Sequence, residues 1–326
     1  MNRPSQPQSD HADFAESSFP KVISLMGPTA SGKTALAIEL AKRIDGEVIS
    51  VDSALIYKGM DIGTAKPDSA EMRGVKHWLI DIIEPHEVYS VAEFRRDAVA
   101  CIEDIVSRGK VPILAGGTMM YFNALIKGLS PLPNANAELR KDIQEMIDRD
   151  GLQAAHQYLA SFDAQSAQRI HENDPQRIMR AIEVYRLTGK TMTFLQSVKP
   201  PQLPYEFIQF SLMPSQREHL HERIAQRFDQ MLQNKFEQEV EALCKDTRLH
   251  ADLPSIRSVG YRQMWQYLHG EYGEGEKAHS EMREKGIIAT RQLAKRQITW
   301  LRSWDGATEL LTGDEQNMNL ILHRIS

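Results

Sequence analysis

Residues Gly27-Pro28-Thr29-Ala30-Ser31-Gly32-Lys33-Thr34 satisfy the pattern G-x-x-x-x-G-K-[ST]. In such a loop the backbone N–H groups and the start of the following helix face the oxygens of a phosphate chain. Lys33 adds a mobile positive charge, and the Thr34 hydroxyl is a ligand for Mg²⁺. The pattern specifies a polyphosphate without specifying the reaction. Asp52-Ser53 follows a second apolar run. Its carboxylate either caps the next segment or takes a proton from a nucleophile arriving near the phosphate loop. A conventional NTPase also needs an acid at another strand end to help hold its metal. VPILAGGT (111–118) offers glycines there instead, although Asp81 follows the apolar start of HWLIDIIEP (77–85). Tyr57 and Lys58 line the entrance or face solvent, and the sequence does not separate the two.

Basic residues form a second constellation. REKGIIATRQLAKRQITWLR (283–302) holds six Lys or Arg against one Glu. Helical spacing puts Arg291, Lys295 and Arg302 on one side and Ile287, Ala294, Ile298 and Leu301 opposite. Arg177 and Arg180 lie one helical turn apart. Arg257 and Arg262 bracket Gly260 and Tyr261. Arginines interleaved with an aromatic and amides suit phosphate contacts and base stacking on RNA. His219-x-His221 reads as helix surface, because no carboxylate or third ligand accompanies it.

These residues need a scaffold. KVISLM (21–26), the loop, a helix over TALAIELAKRI (34–44) and EVISV (47–51) follow in β–loop–α–β order, the signature of a parallel α/β sheet. A helix over 91–109 stops at Gly109, and VPILA (111–115) is a buried strand. Three strand ends then carry polar or glycine-rich residues: the loop after Met26, Asp52-Ser53, and Gly117-Thr118. They are expected to converge on one cleft. From about 136 to 198 the pattern is helical only, with Asp174 placed to cap a helix that begins at Pro175. FIQFSLM (207–213) is a further core strand, followed by a largely helical tail. The expected organisation is a tail over 1–20, an α/β core over 21–130 and 200–326, and a helical insertion over 131–199.

The chain has 326 residues, 41% hydrophobic and 25% charged, as in an ordinary soluble globular protein. No apolar run approaches a membrane span, and the polar first twenty residues lack a secretory pattern. The two cysteines, Cys101 and Cys244, stand isolated, so neither a disulfide framework nor a zinc site is suggested and a cytoplasmic setting fits. A net charge of −5 argues against a protein that coats nucleic acid, but leaves room for a local basic face.

Taken together the sequence resembles the bacterial tRNA dimethylallyltransferases, also called tRNA isopentenyltransferases, over nearly everything after residue 20. The likeness rests on GPTASGKT (27–34), SVDSALIYKGMDIGTAKP (50–67), GGTMMYF (116–122), GLSPLPNANAELR (128–140), IHENDPQRIMRAIEV (170–184), LPSIRSVGYRQMW (253–265) and ATRQLAKRQITWLR (289–302). It implies a P-loop NTPase-like, nucleotide-kinase-like core. It also implies transfer of a dimethylallyl group from dimethylallyl diphosphate to N6 of the adenine 3′ of the anticodon, in tRNAs reading codons that begin with U. The phosphate loop would then hold the diphosphate, with Mg²⁺ near Thr34. Asp52 matches the family's proposed base, Thr118 the threonine beside the reacting centre, and Arg227 an arginine at the diphosphate. The resemblance further implies tRNA contacts from Asp52, Ser53, Ala54 and Leu55, and from Arg140. It adds Gln176, Arg177, Ile178, Met179 and Arg180, then Arg257, Ser258, Val259, Gly260, Tyr261 and Arg262. A last set is Lys295, Arg296, Gln297, Ile298, Thr299, Trp300, Leu301 and Arg302. The expected working unit is a monomer without membrane attachment. Rival readings are a small-molecule or nucleotide kinase, which would use ATP, and a non-catalytic RNA-binding module.

Overall fold

The computed structural model describes residues 19–198 and 200–326. Of the tail expected over 1–20, residues 1–18 lie outside the described residues. The chain opens with β1 (Lys21–Met26), α1 (Lys33–Arg43) and β2 (Gly46–Val51). Next come α2 (Ser69–Met72), β3 (His77–Trp78), α3 (Val91–Ser107), β4 (Val111–Gly116) and α4 (Met119–Ile126). Five consecutive helices follow: α5 (Ala137–Asp150), α6 (Leu152–Phe162), α7 (Ala164–Arg169), α8 (Pro175–Thr188) and α9 (Met192–Ser197). The chain then forms β5 (Glu206–Met213), α10 (Arg217–Gln233), α11 (Phe236–Cys244), α12 (Tyr261–Leu268), α13 (Gly275–Arg302), β6 (Thr308–Leu311) and α14 (Asn317–Ile325).

All strands are parallel in one sheet, in the order β3-β2-β4-β1-β5-β6. This is the expected P-loop NTPase-like α/β architecture. The central strands are buried along nearly their whole length, which is why they read as continuous apolar runs. β6 departs from the helical tail expected after residue 213: Thr308–Leu311 extends the sheet beside Phe210–Met213. Four residues between Gly306 and Gly313 carry too short a pattern to show as a strand, and pairing with β5 decides the conformation.

β1 lies between β4 and β5, and the chain returns to opposite sides of it, so the carboxyl end of β1 is a switch point of the sheet. Gly27 N–H donates to Gly116 O (3.3 Å) and Thr118 N–H to Val51 O (3.1 Å). These bonds draw the three strand ends together. Gly116 packs directly on the Val51 carbonyl, so no side chain fits where a metal-holding acid was sought. The other candidate, Asp81, sits in a loop with Lys66, which also pairs with Asp61 at 2.6 Å.

The helices α5 to α9 pack on one another around their own cluster of Ile143, Leu159, Ile178, Ile182 and Leu195, among others. Asp174 accepts from Arg177 N–H and Pro175 opens α8, the cap that the sequence indicates. Glu183, fully buried, sits at the centre of this group. It receives Arg140 (2.9 Å), Arg180 (2.5 Å) and the Asn136 N–H (2.8 Å). Burial alone would raise its carboxyl pKa; the two arginines reverse that and hold it below the ordinary range.

Candidate active site

The loop after β1 takes left-handed conformations at Ala30 (φ 60°) and Gly32 (φ 88°). Such a sequence of dihedrals turns successive N–H groups into one concavity, a fixed anion cradle. Holding Ala30 there carries strain, of the kind stored at binding sites. Lys33, the first residue of α1, reaches back to the Pro28 carbonyl at 3.2 Å. Burial draws its pKa from 10.5 down to about 8; Asp52 partly offsets this and Arg227 adds to it. Burial also lowers the pKa of Arg227, whose guanidinium reaches the Thr64 and Ala65 carbonyls at 3.5 and 3.3 Å. Two desolvated cations beside one loop are expensive unless an anion joins them.

Two cavities meet at these cations. A wide cleft of about 790 Å³ runs over Ser31, Gly32, Lys33 and Thr34 to Arg223 and Arg227. A smaller chamber of about 110 Å³ shares Ala30, Lys33 and Arg227 with it. Asp52 and Thr29 stand on the chamber's polar side, and Ile224, Phe228, Met231, Val259 and Leu293 form apolar walls. A phosphate cradle therefore opens directly onto a hydrocarbon-sized space.

Asp52 and Thr118 come together as expected. The Asp52 carboxylate accepts from Ala54 N–H (2.9 Å). The Thr118 hydroxyl accepts from Ser53 N–H (3.0 Å) and donates to the Ser53 hydroxyl (3.3 Å). Thr118 occupies the cap position of α4 without using its side chain as the cap, which leaves that hydroxyl to face Ser53. Tyr57 is buried, its phenol pushed up to about 12 by burial, while Lys58 is exposed and pairs with Glu84 at 2.9 Å.

Gln297, expected among the tRNA contacts, is instead buried against the phosphate loop, and Glu239, which no motif announced, holds a second loop. Gln297 accepts from Thr29 N–H (2.8 Å) and donates to Gly117 O (2.9 Å), tying α13 to the phosphate loop and to the residue before Thr118. Glu239 accepts from three successive amides, Asp61 (2.9 Å), Ile62 (2.7 Å) and Gly63 (3.1 Å), and from the Tyr261 hydroxyl (2.5 Å). It thereby pins the loop that brings Gly63 and Thr64 to the chamber.

The basic residues divide by exposure. Gln176, Arg177, Arg257, Arg262, Lys295, Arg296, Thr299, Trp300 and Arg302 are exposed. Arg291, Lys295 and Arg302 line one groove with Arg217 and His221 over a floor of Leu220, Ala294 and Ile298. Ile178, Tyr261, Ile298 and Leu301 do not belong among direct RNA contacts of the side chain, because all four are buried in the core. They hold their exposed neighbours in place. Arg140 and Arg180 are half-buried on Glu183, with Arg180 also on the Pro133 carbonyl at 2.6 Å.

Mg²⁺ is consistent with the donor set. Thr34 is exposed at the start of α1, within the wide cleft. Among the described residues no group of three or more His, Cys, Asp or Glu is arranged to hold a metal.

The family model described as IPP transferase matches residues 55–304. The chain is similar to the full-length tRNA isopentenylpyrophosphate transferase of Bacillus halodurans, with 35% identity, 94% of this chain and 96% of that one covered, and a TM-score of 0.68. It is likewise similar to a tRNA isopentenylpyrophosphate transferase of Staphylococcus epidermidis, at 35% identity over 94% and 97% of the chains and a TM-score of 0.64. A eukaryotic dimethylallyltransferase, solved acting on tRNA, shares 27% identity over 94% of this chain and 78% of that one, with a TM-score of 0.79.

Proposed function

We propose, from the premise that this chain belongs to the IPP transferase family, that it transfers a dimethylallyl group from dimethylallyl diphosphate to adenine N6 in tRNA. The observation that carries this is the junction, at Lys33 and Arg227, of the phosphate cradle with a small chamber that has apolar walls on one side. A kinase would use the space beyond its cradle for a nucleotide base and ribose; here that space fits a short hydrocarbon. The target is the adenine immediately 3′ of the anticodon in tRNAs reading codons that begin with U.

In the step, the allylic C1–O bond breaks, the N6–C1 bond forms, and diphosphate leaves. Charge building on the leaving oxygens is met by the loop amides, Lys33 and Arg227. Mg²⁺ bound near Thr34 would supply further neutralisation of the diphosphate. The N6 lone pair is delocalised into the ring, so the amine needs help: Asp52 accepts its proton as the new bond forms. Thr118, fixed by Ser53, orients the target nucleotide. The apolar walls keep water from the allyl cation until the amine arrives. The adenine must leave the anticodon stack to enter.

We assign the tRNA grip to the helical insertion over 131–199 and to the exposed basic residues of α13 and of 257–262. We further propose that it works as a monomer, in the cytoplasm. Among the described residues no helix is long and apolar enough to cross a membrane. The test is nucleoside mass spectrometry after incubation of the protein, Mg²⁺ and unmodified tRNA with either dimethylallyl diphosphate or ATP. Dimethylallyladenosine in the first reaction alone is expected. ADP in the second, with no modified adenosine in the first, would replace this reading with a kinase.

A further inference from the structure

The chamber follows one stripe of α13. Gln297, Leu293 and Thr290 all line it, at steps of four and three residues. The next position on that stripe is Gly286, and there the chamber stops. Phe228 of α10, itself a chamber wall, lays its ring on Gly286 so closely that a Cβ at that position would collide with it. Gly286 is buried within a helix of 28 residues, where glycine is normally unfavourable relative to alanine. Contact with the ring explains why it is there. The Phe228 ring also packs edge-to-face on Phe236 at 6.3 Å, and Phe236 in turn on Tyr261 at 5.1 Å. Tyr261 is anchored on Glu239. The wall is therefore rigid rather than adaptable.

Size sets the consequence. An apolar cavity of about 150 Å³ holds one six-carbon ring. On that scale the chamber, at about 110 Å³ and partly polar, is sized for about five carbons. We infer that the Phe228–Gly286 contact is the specificity determinant that limits the transferred group to a single isoprene unit. Removing the ring would lengthen the chamber by a further turn of α13, about 5.4 Å, the scale of a second isoprene unit. The chemistry at C1 is unchanged: the same C–O bond breaks, the same N6–C1 bond forms, the proton goes to Asp52 and diphosphate departs. The inference rests on the prenyl-transfer reading above.

The test compares kcat/KM for dimethylallyl and geranyl diphosphate, with unmodified tRNA as acceptor, in wild type and Phe228→Ala. Transfer of dimethylallyl by the wild type is the control; if it fails, the prenyl-transfer reading falls rather than this inference. With that control met, the geranyl-to-dimethylallyl ratio is expected to rise at least tenfold in Phe228→Ala. An unchanged ratio in folded Phe228→Ala would overturn the inference. Should that variant not fold, Phe228→Leu is read in the same way, with a rise of at least threefold expected and an unchanged ratio again decisive against it. Gly286→Ala provides the opposite perturbation. It should push the ring into the chamber and raise KM for dimethylallyl diphosphate severalfold with no gain for geranyl; an unchanged KM in the folded variant would show that the contact does not set the wall.

Discussion

Replacing Lys33 by methionine should abolish transfer yet make the ligand-free protein more stable. Lys33 is desolvated beside a second cation, and its pKa falls from 10.5 to about 8. At about 1.4 kcal/mol per pH unit, that fall corresponds to about 3 kcal/mol against the folded state near neutral pH. The side chain lines two open cavities and is only half-buried, so solvent screening reduces this to about 1–2 kcal/mol. The unfolded chain binds more protons than the folded one between about pH 8 and 10.5. The penalty is therefore complete below pH 8 and relieved as pH rises to 10.5. Methionine keeps the aliphatic stem and removes the charge. At pH 7 the variant's melting midpoint should rise by about 1.5 °C per kcal/mol for a chain of this length, and the gap should close by about pH 10.5. Differential scanning calorimetry at pH 7 and pH 10 reads both numbers. In the wild type, binding of dimethylallyl diphosphate should weaken as pH passes 8, because the bound anion favours protonated Lys33. The variant should bind weakly without that pH dependence. A less stable variant at pH 7, or a stability gap equal at both pH values, would refute the account of Lys33 as a cation held in readiness for diphosphate.

Asp52→Asn keeps the hydrogen bond to Ala54 N–H but cannot take the N6 proton; kcat should fall at least a hundredfold, the usual scale for a lost general base, while tRNA affinity by filter binding stays within about threefold, and equal losses in both would contradict the base assignment. Arg177→Ala, at an exposed position paired with Asp174 alone among the described residues, should lower the slope of log K against log salt by about one phosphate contact without changing the melting midpoint. Arg180→Ala should instead cost stability, because it strips one of two guanidiniums from buried Glu183, so a variant with an unaltered midpoint would remove Arg180 from the core of the insertion. Glu239→Gln should raise KM for dimethylallyl diphosphate more than it lowers kcat, because its amide NH2 must face either the Asp61 and Ile62 N–H groups or the Gly63 N–H and the Tyr261 hydroxyl, which loosens the loop at Gly63; steady-state kinetics showing kcat alone affected would count against that positioning role.

The sequence by itself determined the phosphate loop, the strands at 21–26, 47–51, 111–115 and 207–213, and the cap at Asp174-Pro175. Each is written in contiguous residues: a glycine and lysine spacing, a β-branched run, a proline at the first helical turn. It also placed Asp52 and Thr118 at strand ends, and parallel α/β topology brings such ends together. What it left open depends on side chains far apart along the chain. Gln297 meets Thr29 across 268 residues, and Glu239 meets Ile62 across 177. No periodicity in either segment marks the partner. Burial was legible only in part: helical spacing already set Ile298 and Leu301 opposite the arginines of α13, whereas Tyr261, between Arg257 and Arg262, was placed in the core only by the packing of α12 on α11 and α13. β6 formed because β5 offered an unpaired edge to a segment too short to declare itself. Local spacing fixes which atoms can do chemistry; the tertiary packing of α10, α11 and α13 decides the size, charge and rigidity of the space in which they do it.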